Sequence, residues 1–279
     1  MSVSLVSVCI LTLNEEINLA ECIDSCRFSD DIVVFDSQSV DRTKAIALAK
    51  GVRIAERAFD NYATQRNAAI STVNYKHDWV LMVDADERIP MDLAREIEER
   101  LASVDAGTVL FRVRRRDMFL GRWLKRSSGY PTWFGRLMRV GRVTVMRDVN
   151  EEYLADGEIA YLDAHIDHFP FNKGIAYWFE RHNRYSSMEA IAKLTQCTAP
   201  ASLRTLLTAD AIVRRRILKQ LLYRVPMRPL IVFLYLYVFR LGLLDGRAGF
   251  HFSRMRAVYE FCIDLKVMEE RRRRRGLPV

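Results

Sequence analysis

Several protein classes are excluded by what this sequence lacks. It has five cysteines in 279 residues, at positions 9, 22, 26, 197 and 262. None forms a C-x-x-C pair or a zinc-finger spacing. A disulfide scaffold and a zinc module are therefore excluded, and reduced thiols in a cytosolic setting are expected. No G-x-G-x-x-G turn follows the first apolar run, which disfavours a dinucleotide-binding fold, and no G-x-x-x-x-G-K-[ST] loop is present for a P-loop enzyme. The first residues enter an apolar run with no basic leader region, so no secretory signal peptide is expected. The uncharged part of the C-terminal apolar stretch is only about 11 residues long, where a spanning helix needs about 20. There is no internal repeat.

Half of the residues are hydrophobic and 28% are charged, the balance of a folded chain, not a disordered one. The net charge is +8, unevenly spread. From residue 201 onward Lys and Arg outnumber Asp and Glu by about 11. The remainder is slightly acidic, so the basic character belongs to the C-terminal quarter.

Apolar runs at residues 6–11, 31–35 and 79–83 predict buried strands, and residues 52–55 a further short strand. Amphipathic stretches at residues 19–26, 41–50 and 64–72 predict helices between them, and Gly51 stands where the second helix needs a left-handed residue to stop. Strict alternation of this kind predicts an α/β fold with a mostly parallel sheet and helices on both faces. In such sheets ligands bind at the carboxyl ends of the strands. The polar clusters Thr12-Leu13-Asn14-Glu15, Asp36-Ser37-Gln38-Ser39 and Asp84-Ala85-Asp86 all fall there. A further strand is expected at 108–113, leading into Arg114-Arg115-Arg116. An antiparallel or loop-rich half lining a pocket is expected over 117–150, and a helix over 174–195.

Asp84-Ala85-Asp86 is the sharpest signal. Two carboxylates two residues apart at a strand end can share one Mg²⁺ or Mn²⁺ and leave positions for phosphate oxygens. Asp36 at the end of the second strand suits the base or ribose of a nucleotide.

The segments 8–16 (VCILTLNEE), 32–43 (IVVFDSQSVDRT), Gln65-Arg66-Asn67 and 79–87 (WVLMVDADE) resemble family 2 glycosyltransferases of the GT-A fold. The resemblance is to the bacterial branch of lipopolysaccharide core β-1,4-glucosyltransferases and related exopolysaccharide enzymes, over roughly the first 190 residues. It implies an inverting, metal-dependent transfer of a hexose from a nucleotide sugar, such as a UDP-hexose, to a lipid-linked saccharide. Thr12, Asn14 and Glu15 would border the nucleotide, with Asp36 at its base or ribose and Gln65 and Asn67 facing the donor. Asp84, Ala85 and Asp86 would form the metal motif, Asp86 as a direct ligand and Asp84 nearer the ribose or a metal-bound water, with Glu87 extending it. His168 would be a third metal ligand or a hydrogen-bonded structural residue.

Inversion also needs a carboxylate to take the acceptor's proton. The family's Val-His-Glu stretch is matched by Val149-Asn150-Glu151, with Asn150 in place of the usual His. Glu151 is the candidate base, with Asp148 and Glu152 as rivals. Trp133 and Phe134 are expected either to stack on an acceptor sugar or to belong to the core.

A catalytic region is thus expected over residues 1–200, with a nucleotide-sugar half over 1–107 and an acceptor half over 108–200. Residues 201–279 would form a helical extension. There a basic amphipathic helix is expected at 203–222, and Pro226 and Pro229 precede the apolar segment 229–244. That segment suits either a buried helix or one lying in a membrane interface, since arginines and tyrosines flank it. An anionic membrane surface is the expected partner, on the cytoplasmic face of the inner membrane. Two other readings compete. A nucleotidyltransferase of related fold would want a basic glycine-rich loop after the first strand, where this chain has none. A nucleic-acid binder would draw on the basic tail, but the aromatic residues lack an RNA-binding arrangement, and no nucleic acid is expected.

Overall fold

The computed structural model describes residues 4–146, 152–195 and 227–279. It divides into two compact units, Met1–Met118 with Tyr130–Asn172, and Phe119–Gly129 with Lys173–Val279. The helix expected at 174–195 thus groups with the C-terminal residues. The boundary expected at residue 200 and the basic helix expected at 203–222 lie outside the described residues.

The first unit begins with β1 (Val6–Thr12), α1 (Leu19–Ser25), β2 (Ile32–Asp36), α2 (Thr43–Ala49), β3 (Arg53–Glu56), α3 (Tyr62–Thr72) and β4 (Trp79–Asp84). After these come β5 (Glu87–Arg88), α4 (Met91–Ala102) and β6 (Thr108–Phe119). A short β7 (Arg122–Trp123) belongs to the second unit. The first unit resumes with β8 (Trp133–Arg139), β9 (Val143–Met146), β10 (Glu152–Ala155) and β11 (Glu158–His168). Its main sheet has the order β3-β2-β1-β4-β8-β6-β11-β5. The first four strands are parallel, and β8 runs antiparallel to both its neighbours. The pair β9–β10 forms a separate antiparallel ribbon.

The strands β1, β2 and β4 are largely apolar because both their faces are covered, whereas the edge strand β3 carries Arg53 and Glu56 and is partly exposed. Successive side chains of β1 point to opposite sides of the sheet. Val6, Val8 and Ile10 join Val34, Leu81 and Val83 beneath α1, α2 and α4. Cys9, Phe35, Val80 and Met82 lie on the other face with Ala69 and Ile70 of α3 and Val143 and Val145 of β9. The four described cysteines, Cys9, Cys22, Cys26 and Cys262, are free thiols.

One strand is longer than expected. The run of three arginines after Val113 reads as the end of a strand, yet β6 continues through them to Phe119. Partners along the strand and across the sheet make this possible. Arg115 pairs with Asp117 at 3.2 Å and Arg116 with Asp167 at 2.6 Å, while Arg114 lies over the Trp133 ring.

The second unit contains α5 (Ile175–Thr195), α6 (Arg228–Leu234) and the long α7 (Gly246–Arg274). Between α6 and α7 the chain makes a π-helical turn at Tyr235–Phe239 and a 3₁₀ turn at Gly242–Asp245, with Leu241 in the left-handed region at φ +59°. Arg228 anchors α6. It is buried and pairs with Glu260, and also with Asp264 at 2.8 Å. The Asp245 carboxylate accepts from the backbone N–H groups of Arg126 and Ser127 and from the Ser127 hydroxyl. It thereby ties the 119–129 excursion to this corner. No single helix among the described residues is long and apolar enough to cross a membrane; the pair Arg228–Phe239 and Gly242–Arg274 reaches that length and composition together, with a 73° bend between them.

Gly51 follows α2 at φ +67°, the left-handed geometry expected of it, and a Cβ added there would meet nothing within 4 Å. The cost of a side chain is therefore purely conformational. Gly51→Ala should lower stability by about 1–2 kcal/mol, measured as a shift in the urea midpoint with an unchanged slope.

Candidate active site

Strand register brings the three polar clusters to one edge. Thr12 pairs with Asp36 across β1–β2, and Leu11 pairs with Asp84 across β1–β4. The chain turns outward from β1 in opposite directions, to β2 on one side and β4 on the other. That makes the β1–β4 boundary the switch point at which open parallel sheets bind ligands.

At the β1–β2 end, Asp36 is fully buried. It accepts from the Thr12 hydroxyl at 2.8 Å and from the Ser39 hydroxyl and N–H at 2.6 and 2.7 Å. Asn14 sits in the left-handed region at φ +55°, where its side-chain oxygen accepts from the Val40 N–H and its own N–H donates to Ser39. The Glu15 N–H donates to Thr43 Oγ1, and the Glu15 carboxylate accepts from Asn18. Gln65 is buried and donates to Ser37 Oγ at 2.9 Å. Thr12, Asn14, Asp36 and Gln65 thus belong to a single polar cradle.

At the β4 end the carboxylates divide into two groups. Asp84 accepts from Arg66 through one oxygen at 2.8 Å and from Arg136 through the other at 2.6 Å. The same Arg136 nitrogen reaches Glu87 at 2.7 Å, and Glu87 accepts the Asp84 backbone N–H at 3.0 Å. Arg66, Arg136 and Glu87 are all buried. Burial opposes ionisation of Asp84, but the Arg136 and Arg66 guanidiniums outweigh it and hold the carboxyl well below the usual range. Burial instead pushes Glu87 up, and the neighbouring Asp84 charge adds to the effect. Asp86 has a different partner. Its Oδ2 lies 3.3 Å from His168 Nε2, while His168 Nδ1 meets Asp117 at 2.7 Å. Burial and Arg115 resist protonation of His168, yet Asp86 and Asp117 prevail and raise it to about 9.

This arrangement bears on the expected metal motif. Among the described residues no three His, Cys, Asp or Glu side chains are grouped to hold a metal ion. Asp84, expected to share the cation, has each of its oxygens bonded to a guanidinium. Asp86 and His168 do converge, one carboxylate oxygen facing one imidazole nitrogen, and that pair suits Mn²⁺ or Mg²⁺ once His168 gives up its proton. The fit is to a cation held by two side chains and completed by phosphate oxygens and water.

A model of the family described as "Glycosyl transferase family 2" matches residues 7–149, the stretch carrying both strand-end clusters. The chain belongs to glycosyl transferase family 2. A lipopolysaccharide core biosynthesis glycosyltransferase of Rhizobium meliloti, LpsC, is 27% identical over 275 residues, covering 94% of this chain and 92% of its own. An uncharacterised glycosyltransferase of Rickettsia conorii is 37% identical over 99 residues, and that match spans 34% of its length and 35% of this chain. Among solved structures, glucosyl-3-phosphoglycerate synthase of Mycobacterium tuberculosis in complex with Mn²⁺, UDP and glucosyl-3-phosphoglycerate is 22% identical. That likeness covers 40% of this chain and 44% of the other, with a TM-score of 0.34.

Asn67, expected to face the donor, is placed otherwise within this family framework. Its amide donates to the Val145 carbonyl at 2.9 Å and accepts the Val145 N–H at 2.8 Å, clasping β9 onto α3. Ala85 is buried, and its carbonyl accepts from Arg88. Phe134 has the Arg115 guanidinium 4.3 Å over its ring, and Trp133 is partly exposed against Tyr161. Asp148 and Glu151 lie outside the described residues; Glu152 begins β10.

Sequence reasoning missed Arg66, Arg136, Arg115 and Asp117. Arg66 stands inside the Gln65-Arg66-Asn67 motif and Arg136 directly before Leu137, so both were in view; nothing local marks either as the counter-ion of a carboxylate far along the chain. Removing Arg136 would leave the buried Glu87 and the half-buried Asp84 without their shared partner. Arg136→Leu should therefore destabilise the protein by about 3–5 kcal/mol in urea unfolding. Arg136→Lys should recover only part of this, because an ammonium is more strongly hydrated than a guanidinium and costs more to bury. A leucine variant of wild-type stability would show that the pair Asp84–Glu87 tolerates burial without it.

Proposed function

We propose that this family 2 glycosyltransferase transfers a hexose from a nucleotide sugar, with inversion, to a lipid-linked saccharide of lipopolysaccharide or a related surface polysaccharide. The observation that carries the reading is the convergence of Thr12, Asp36, Asp84 and Asp86 on one sheet edge at the switch point, in a chain of this family. The near full-length likeness to the lipopolysaccharide core enzyme supports the acceptor class. The reaction would take place on the cytoplasmic face of the membrane, where nucleotide sugars are made. Transfer of label from a UDP-hexose to deacylated lipopolysaccharide core, with release of the nucleoside diphosphate, tests the reading. Release of free diphosphate would instead indicate nucleotidyl transfer.

In this reading the cradle around Asp36 receives the nucleoside and the β4 end receives the diphosphate. Asp86 and His168 would hold a divalent cation, which supplies countercharge to the departing diphosphate. The acceptor hydroxyl attacks the anomeric carbon from the face opposite the diphosphate. As the new C–O bond forms, the old one breaks and its electron pair leaves with the nucleotide, while Glu151 takes the hydroxyl proton. Arg66 and Arg136 hold Asp84 ionised and fix its direction, so the loop that carries Asp86 starts from a rigid point.

Asp86→Ala should abolish transfer while leaving the unfolding free energy measured in urea within about 1 kcal/mol of wild type. EDTA should also stop the wild-type reaction. Full-rate transfer in EDTA would remove the cation from the scheme. Glu151→Gln keeps the size of the side chain but cannot accept a proton. Turnover should fall by about 10²-fold or more with donor binding unchanged; near wild-type turnover would transfer the role to Asp148 or Glu152.

A further inference from the structure

The long helix α7 is apolar on the side that faces outward as well as on the side that is buried. Ile263, Val267 and Glu260 are buried on one face. At about 100° per residue, Val258, Phe261, Leu265 and Met268 fall within an arc of about 80° on the opposite side. Each of these four is 43–54% exposed. Arg247, Arg254 and Arg272 occupy the same outward sector and are exposed, so arginines bracket the apolar band at both ends. The turn that precedes α7 is exposed too. Phe239 is 78% exposed and Leu244 58%, with Val238, Leu241 and Leu243 beside them. Of the two alternatives expected for 229–244, a buried helix or one lying in an interface, burial is not found: within α6 only Arg228 is buried, and the π turn buries nothing. An apolar recess of about 420 Å³ opens beside Arg254 and Val258, lined also by Phe119, Leu120, Ile175 and Phe179.

Continuous apolar exposure of this extent marks a partner surface. The charge pattern selects the partner. If α7 packed on α7 of a second copy, an antiparallel pairing would set Arg247 and Arg254 near Arg272, and a parallel one would set each arginine against itself. Anionic headgroups answer both ends of the band, and acyl chains its middle.

We propose that the outward face of α7 and the exposed corner at residues 238–244 are the surface by which the second unit lies in an anionic bilayer, apolar side chains below the headgroups and arginines among them. This rests on the lipid-linked acceptor of the preceding section and names the element that would meet the lipid.

The test is sedimentation of the full chain with vesicles containing phosphatidylglycerol, compared with phosphatidylcholine alone. Phe261→Glu/Leu265→Glu and Phe239→Glu/Leu244→Glu should each reduce partitioning onto the anionic vesicles by at least ten-fold. All these positions are exposed, and unchanged thermal stabilisation by donor would show that the variants are folded. At 1 M salt, where the Debye length is about 3 Å, the wild type should be released only in part, because apolar burial persists. Variants that bind as the wild type does, a wild type that ignores anionic vesicles at low salt, or a detergent-free dimer that shields a thiol placed by Val258→Cys would each overturn the proposal. Label transfer to deacylated core saccharide is read separately. If it persists while vesicle binding fails, the sugar-transfer reading stands alone.

Discussion

A single buried guanidinium sets the geometry of the β4 end. Arg136 places one nitrogen 2.6 Å from Asp84 and 2.7 Å from Glu87, and Arg66 closes on the other Asp84 oxygen. Two carboxylates this close in a dry site repel each other and resist ionisation. Cations fixed by α3 and β8 offset that repulsion. Charge and position are thereby coupled: removing a cation costs the carboxylates their ionisation, and removing a carboxylate leaves a buried cation without its counter-ion. The network continues through Arg115, 3.9 Å from Glu87, to Asp117 and His168, and ends at Asp86.

The result is a division of labour between two aspartates only two residues apart. Asp84 is still in the strand and points into the arginines. Asp86 is beyond the strand and meets an imidazole instead. Asp86, expected as the direct ligand of a cation, and Asp84, expected nearer the ribose or a metal-bound water, thus have different neighbours: an imidazole for the first and two guanidiniums for the second. The β1–β2 end is built on the same principle with neutral donors. Asp36 is satisfied there by two hydroxyls and an N–H rather than by arginine.

The second unit follows a different rule. Its polar anchors include Arg228 on Glu260 and Asp264, and Asp245 on the 119–129 backbone. They order the turn between α6 and α7 while large apolar side chains remain on the outside. On α5 Trp178 stacks on His182 at 3.5 Å, and His182 meets Tyr259 of α7 edge-on; burial depresses that imidazole to about 4, so it stays neutral under ordinary conditions.

The parallel half of the sheet was legible because buried strands and amphipathic helices carry opposite periodicities, and because glycine alone suits the left-handed stop after α2. The three polar strand ends were legible for the same reason: an apolar run that stops at a carboxylate marks the edge of the sheet. The other half, where β8 runs antiparallel to its neighbours and β11 parallel to β6, was read only coarsely. The arginines of β6 signal polarity, and only pairing across strands shows that they extend the strand instead of ending it. The roles of Asp84 and Asn67 were likewise set by contacts distant in sequence, to Arg136 at a separation of 52 residues and to Val145 at 78. Local pattern reports which residues are apolar, charged or turn-forming, and therefore determined the strands, the helices and the edge at which they converge. Which cation meets which carboxylate depends on the register between strands and on the packing of α3 against them, and these exist only once the sheet has formed.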